Sequence, residues 1–359
     1  VISRPDQYVG VSTGNFDTQK TFVTGFQPDL VWFKSRSNTD GHILQDSVRG
    51  VNSYLTSSST NAAGTFPVGG QYGITSFNYN GWTHASYGAV ANSAQVAWSW
   101  KAGGNKNTFN VDDVGYATAA AAGLTGGSYS LTGASVGTKQ GFSIVQWTHS
   151  SGTAGTINHG LTEAPTFIIY KSTANATRWT VGHNSLGWNT GLVLNNTDAK
   201  LADDPAYFNN TAPTSSVFSI GDTGQIGNGN TIAYCWHDVP GLQKFGTYTS
   251  TAVSDGPYVE LGFRPAVVWM KNTGTNANNT ITGWSIYFNK QNSTERNTLV
   301  SPLFANANAA GGTRGDGSGS GHSLTNVDFL SNGFKCYGTS AEVNTNTGAD
   351  VYIYCAWAE

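Results

Sequence analysis

The stretch Pro28-Asp29-Leu30-Val31-Trp32-Phe33-Lys34 decides the fold, because its pattern is written three times in one chain. Its counterparts are Pro165-Thr166-Phe167-Ile168-Ile169-Tyr170-Lys171 and Pro265-Ala266-Val267-Val268-Trp269-Met270-Lys271. Each has a Lys six residues after the Pro and an apolar run between. A short run rich in β-branched and aromatic residues, entered through Pro, predicts a buried β-strand. Each copy is preceded by Gly25-Phe26, Gly160-Leu161 or Gly262-Phe263, which read as turns. Before these come strand-like openings at Val9 to Thr13, Phe142 to Thr148 and Phe245 to Thr249.

The spacing continues downstream. Leu55 with Asn61-Ala62 matches Leu192 with Asp198-Ala199 and Val300 with Asn306-Ala307. An aromatic hairpin follows, Phe77-Asn78-Tyr79-Asn80-Gly81-Trp82 in the first copy and Phe329-Leu330-Ser331-Asn332-Gly333-Phe334 in the third, with Phe218 for the last aromatic in the second. The closing strands read Val96 to Trp100, Ile232 to Trp236 and Val351 to Cys355, an alignment that sets Cys235 and Cys355 opposite Ser99. The chain therefore reads as three tandem all-β modules, residues 1–103, 141–240 and 241–359, with 104–140 as a linker or an extra hairpin. Propeller blades repeat every ~40–50 residues and are too short for this pattern. The strands in each copy suffice for two facing antiparallel sheets, so the expected module is a jelly-roll-like β-sandwich.

Composition narrows the function. Net charge is −3 and only 11% of residues are charged, with no basic stripe, so nucleic acid is not an expected partner. No run approaches the ~20 apolar residues of a membrane helix, and no membrane association is expected. The three Cys form no CxxC pair and read as free buried thiols, not as a disulfide framework or a zinc site. The seven His are dispersed without an HExxH pattern and read as hydrogen-bonded or surface residues; there is no G-x-S-x-G elbow. The Gly-rich stretch from Gly311 to Gly321 lacks the Lys of a phosphate loop, and its Arg314-Gly315-Asp316 reads as plain surface loop. Asp112-Asp113 and Asp203-Asp204 read as turn formers, and Asp46 with Arg49 as a structural salt bridge or turn. The expectation is no enzyme, no cofactor and no metal.

Aromatic residues make up 12% of the chain, with 11 Trp in an Asn-rich background, a mixture suited to stacking rings on sugars while amides bond hydroxyls. Trp32, Trp98, Trp100, Trp236 and Trp269 lie in the repeated strands and are expected in the core. Trp188, Asn189, Tyr207 and Phe208 have no counterpart in the other copies and are the ligand-binding candidates.

Gly25 to Lys34, Asp46-Ser47-Val48-Arg49-Gly50, Leu55 with Asn61-Ala62, Asn80-Gly81-Trp82 and Val96 to Gly104 together resemble a repeat module of structural proteins of tailed phages, notably phages of marine bacteria and cyanobacteria. The resemblance covers the chain apart from Gly104 to Gln140, and the second copy departs from it by two extra residues in Gly160 to Pro165. It implies a virion protein, tail-fibre-like, with other virion proteins and host-surface glycans as partners, a homotrimeric assembly and no catalytic residues. The alternatives are a capsid decoration or assembly protein without a ligand, and a polysaccharide depolymerase.

Overall fold

The computed structural model describes residues 1–16, 18–67, 72–85, 94–221, 225–274, 282–291, 298–311, 326–345 and 349–359. Among the described residues strand accounts for 45% and helix for 3%, so the fold is all-β. The first stretch contains β1 (Val9–Asn15), β2 (Lys20–Val23), β3 (Leu30–Ser35), β4 (Ile43–Asp46), β5 (Ser53–Tyr54), β6 (Gly64–Thr65), β7 (Ile74–Asn78), β8 (Gly81–His84) and β9 (Ala94–Trp100). The insert supplies β10 (Phe109–Val111), β11 (Val114–Tyr116) and β12 (Leu131–Gly137). Next come β13 (Phe142–His149), β14 (Gly155–Asn158), β15 (Phe167–Ser172), β16 (Thr180–His183), β17 (Leu192–Val193), the one-turn helix α1 (Pro205–Phe208), β18 (Val217–Ile220) and β19 (Gly229–Trp236). The last stretch holds β20 (Gln243–Thr249), β21 (Asp255–Glu260), β22 (Pro265–Asn272), β23 (Ser285–Phe288), β24 (Thr298–Leu299), β25 (Leu303–Phe304), β26 (Asn326–Leu330), β27 (Gly333–Tyr337) and β28 (Val351–Ala358). Arg314-Gly315-Asp316 and His322 lie outside the described residues.

The three Pro-to-Lys strands occupy the same place in three sheets. The orders are β1-β9-β3-β4, β13-β19-β15-β16-β17 and β20-β28-β22-β23-β25, with β11-β10-β12 extending the second sheet beyond β13. Opposite them lie smaller sheets, β2-β8-β7, β14-β18 and β21-β27-β26-β24. Between β1-β9-β3-β4 and its facing sheet, Phe16, Phe22, Val31, Phe33, Ile74, Trp82 and Ala97 form one core, and larger cores fill the other two sandwiches.

Side chains alternate across a strand, so a strand buried along its whole length serves two cores. In β15, Ile168 and Tyr170 enter the core of their own sandwich, while Phe167 and Ile169 point the other way. The same division sends Leu30 and Trp32 of β3, and Val267 and Trp269 of β22, into a core that draws on all three stretches. There Trp100, Trp236 and Trp357 meet pairwise with ring centroids 5.4–6.4 Å apart. Trp269 packs edge-on against Trp357 at 5.1 Å and against Trp32 at 4.9 Å. Such edge-to-face pairs add ~0.5–1.5 kcal/mol each to the burial itself. The indole N–H groups of Trp98, Trp100, Trp236, Trp269 and Trp357 have no hydrogen-bond partner among the described residues.

Register corrects one reading. Leu30 pairs with Trp100 and Phe167 with Trp236, each two residues after the Pro, and Val267 pairs with Trp357. Trp357 is therefore the equivalent of Trp100 and Trp236, and Cys355 that of Trp98 and Tyr234, not of Ser99 and Cys235. A one-residue slip moves a side chain to the opposite face. Accordingly Cys235 lies in a sandwich core and Cys355 in the shared one. All three Cys are free and buried.

Hydrogen bonds tie the stretches together around this core. Trp179 Nε1 donates to the Thr56 carbonyl at 3.0 Å and Trp284 Nε1 to the Val193 carbonyl at 2.9 Å. Asp46 and Arg49 do form a salt bridge, at 2.6 Å, and Tyr234 from the second stretch donates its hydroxyl to Asp46 at 2.8 Å. Asp204 caps α1 by accepting from the Ala206 amide at 2.8 Å.

The first strands β1, β13 and β20 stand at equivalent edges, and each is covered differently. Tyr8 and Leu242 face inward, since their carbonyls accept from Lys101 and Ala358, so Val9, Val11, Gln243 and Phe245 turn their backbone groups outward. Lys290 Nζ donates to the Val11 carbonyl at 2.7 Å, the Asp238 carboxylate accepts from the Phe245 amide at 3.0 Å, and β13 takes β12 as a neighbour. Charges and added strands are the usual devices against edge-to-edge association.

The repeated lysines are buried at the ends of their strands, where each ammonium donates to backbone carbonyls. Lys34 reaches those of Ser35 and Asn38, Lys171 those of Ser172 and Asn175, and Lys271 those of Thr197 and Thr282, all at 2.6–3.0 Å. Burial pushes Lys34 and Lys171 down to about 8 and Lys271 to about 7. It also depresses His84, His159 and His183 to about 4 and His42 well below its ordinary range. The six described His are all buried, not at the surface: inward-facing strand positions and the turns that close them leave no solvent route to the rings.

A depressed Lys or His binds fewer protons folded than unfolded, so stability grows with pH between the folded and unfolded values. The imidazoles act from about pH 4 to 6.5 and the ammoniums from about pH 7 upward. Buried thiols, with Cys336 pushed up to about 12, reverse the trend above the ordinary thiol range, and the raised carboxyls of Asp29 and Asp238 oppose it at the acid end. The thermal midpoint should therefore be higher at pH 8 than at pH 5.5, and a midpoint that falls across this interval would contradict the depression of these groups by burial. Trp100→Ala should cost about 3–5 kcal/mol in denaturant unfolding, the range for deleting a core aromatic.

Candidate functional site

The sheet edge at β1 meets the insert along a cleft. Tyr8 immediately precedes β1 and Lys101 immediately follows β9, and the two are joined by the Lys101 amide donating to the Tyr8 carbonyl at 2.8 Å. Gly25 turns the chain at φ 86° and sends Phe26 inward, where it is 3% exposed, while Gln27 stays at the rim. A cleft of about 380 Å³ results, lined by Gln7, Tyr8, Phe26, Gln27, Tyr79, Lys101, Lys106 and Asp113. A second one, about 350 Å³, adjoins it through the shared Tyr8, Lys101 and Asp113 and extends to Asp112, Lys139 and Gln140.

The acidic wall is built from a strained turn. Asp112 and Asp113 are the two central residues of the β10–β11 hairpin, with φ of 48° and 66°. A two-residue hairpin favours positive φ at both positions, and Asp tolerates it better than most residues, at a cost of about 1 kcal/mol each. Several bonds hold the turn. The Asp113 amide donates to the Gly103 carbonyl and the Asp112 amide to that of Val136, both at 2.9 Å. The Asp112 carboxylate accepts from the Thr138 amide and hydroxyl at 2.9 and 2.6 Å, and Asp113 pairs with Lys101 at 2.7 Å. Gly103 is required here, because a Cβ would lie 2.4 Å from the Val136 carbonyl and 2.5 Å from that of Asn110. Below it, buried Asp29 accepts from the amides of Ala102 and Gly104 at 2.7 and 3.2 Å and from Ser47 Oγ at 2.8 Å, and desolvation raises its carboxyl.

The open wall carries a ring and amides. Tyr79 sits in the β7–β8 turn with 92% of its surface in solvent, and Gln27 Nε2 bonds Asn105 Oδ1 at 2.9 Å across from it. An exposed aromatic beside amides and ammoniums is chemically suited to a sugar: the ring offers an apolar face and the amides bond hydroxyls. Among the described residues no cluster of His, Cys, Asp and Glu is arranged to hold a metal ion.

The residues singled out from the sequence lie elsewhere. Trp188 and Phe208 pack edge-on at 5.1 Å in the core of the second sandwich, Tyr207 is 7% exposed in the same core, and Asn189 is half-buried beside them. Trp188 Nε1 donates to Asn184 Oδ1 at 3.3 Å. With 6% of Trp188 and none of Phe208 in solvent, neither ring has a face open to a ligand. Among the described residues α1, which carries Tyr207 and Phe208, is found only in this stretch. Tyr79 carried a sequence signal of the right kind, since Ser331 stands at its place in the third stretch.

Residues 5–359 match the model of a family described as a domain of unknown function, DUF7483. The chain belongs to that family. No curated protein matches it. A solved structure described as "The Triple Jelly Roll Fold and Turret Assembly in an Archaeal Virus" aligns over 94% of this chain and 81% of that one, at 10% identity and a TM-score of 0.15. A score at that level is too low to place the two folds together.

Tyr79→Ala should leave unfolding free energy within about 0.5 kcal/mol of the parent, as for an exposed residue, whereas Trp188→Ala should cost about 3–5 kcal/mol. Equal costs measured by urea unfolding would contradict this division between surface and core.

Proposed function

We propose that this chain is a structural protein on the exterior of a virus particle, part of a tail fibre or similar appendage, and that it contacts host-surface polymers through the cleft at Tyr79. The tailed-phage resemblance of the Gly25–Lys34 and Val96–Gly104 motifs supports the viral assignment. The observation that carries the binding role is the exposed Tyr79 ring standing over a cleft of about 380 Å³ furnished with amides and ammoniums. Host glycans are presented in many copies, so a shallow site repeated in a homo-oligomer, a trimer by analogy with phage fibres, would gain avidity without being strong alone. Binding is favoured over depolymerisation because the Asp112 and Asp113 carboxylates are already engaged by Thr138 and Lys101, whereas glycoside hydrolysis needs two carboxyls free to act on substrate.

Antibody raised against this chain should decorate intact particles in electron micrographs. Label appearing only after particles are disrupted, or on no particle component, would reject the exterior assignment. The purified chain should also adhere to host cells, with adhesion lost in Tyr79→Ala at unchanged thermal stability.

A further inference from the structure

The charges lining the cleft are unevenly committed. Lys101, Lys106 and Lys139 line its two parts, in a chain whose net charge is −3. Both acids of the walls are engaged, Asp113 with Lys101 at 2.7 Å and Asp112 with the Thr138 amide and hydroxyl. Lys106 and Lys139 are exposed and form no ion pair among the described residues. The cleft thus presents two uncommitted ammoniums on either side of a neutralised bridge.

We infer that the cleft selects an anionic saccharide, one whose sugar rings carry carboxylate or sulfate groups. This rests on the reading of the cleft as the polymer-contacting surface and adds the ligand's charge to it. One sugar ring stacks on Tyr79 with its hydroxyls toward Gln7 and Gln27. The chain then crosses the Lys101–Asp113 bridge from one part of the cleft to the other, with its anionic groups facing Lys106 and Lys139. A neutral chain could use the ring and the amides but would leave both ammoniums without partners. Hydrogen bonds to charged groups are the stronger kind, so the acidic chain should gain about tenfold or more in affinity.

The test is calorimetric titration of the 359-residue chain with three defined tetrasaccharides: oligoalginate carrying carboxylates, oligocarrageenan carrying sulfates, and neutral maltotetraose. At least one acidic tetrasaccharide should bind about tenfold tighter than maltotetraose. The gap should close in the Lys106→Gln/Lys139→Gln variant and narrow as salt is raised, because exposed charges are screened. The better of the two acidic probes tells carboxylate from sulfate. Equal binding of all three sugars, lost in Tyr79→Ala, would overturn the selection for charge and leave the cleft reading intact. Acidic binding unchanged in the double lysine variant would likewise overturn it. If no saccharide binds, or Tyr79→Ala binds like the parent, the cleft reading itself fails and this inference falls with it. Thermal midpoints equal to the parent's establish that the exposed substitutions leave the fold in place.

Discussion

Burial of both faces of three sheets is the constraint on which the rest of the structure depends. An antiparallel sheet in a sandwich ordinarily keeps one face for the core and one for water. Here the second face of each inner sheet is covered by the other two, and Trp100, Trp236 and Trp357 meet where the three come together. The shared core explains why the apolar runs between Pro and Lys are unbroken and why the lysines stand where they do. Each is the last inward-facing residue of its strand, placed where ring packing gives way to loop carbonyls that can accept from an ammonium.

That arrangement also produces the cleft. The three equivalent edge strands cannot all be treated alike, because only the second stretch is preceded by the insert that contributes β12. The insert returns past the first stretch on its way, and its β10–β11 turn brings Asp113 to Lys101. A positive-φ turn is tolerated because four backbone and side-chain bonds and one ion pair fix it from several directions. The concave surface at Tyr8 is therefore a by-product of joining two sandwiches, with groups on it that packing does not need.

How much of this was legible follows from which interactions are local. Strand positions were readable from Pro28, Pro165 and Pro265, since turn chemistry and apolar runs act over a few residues. The relation of Cys355 to Cys235 was not, because matching strand ends by residue type leaves a one-residue ambiguity that only the pairing of Val267 with Trp357 resolves. Trp188 and Tyr207 read as ligand-binding candidates for want of counterparts, yet a feature unique to one stretch can equally be that stretch's private core. Tyr79 sat within a repeated motif and was masked by it, although its neighbours Asn80-Gly81 already placed it at the tip of a hairpin.

By itself the sequence determined the strands, the turns between them and the thrice-repeated Pro-to-Lys spacing, because these are set by alternation, propensity and backbone chemistry within a few residues of chain. Its readings of the thiols as free and buried and of Asp46 with Arg49 as a salt bridge or turn agree with the structure. Only the tertiary structure decided that the three inner sheets share a core, which edges are covered and by what, and that Tyr79, Lys101, Lys106 and Asp113 face one cleft. Tyr79 comes from the β7–β8 turn, Lys101 and Lys106 from the β9–β10 connection and Asp113 from the β10–β11 turn, and their meeting is the result of packing that no local pattern encodes.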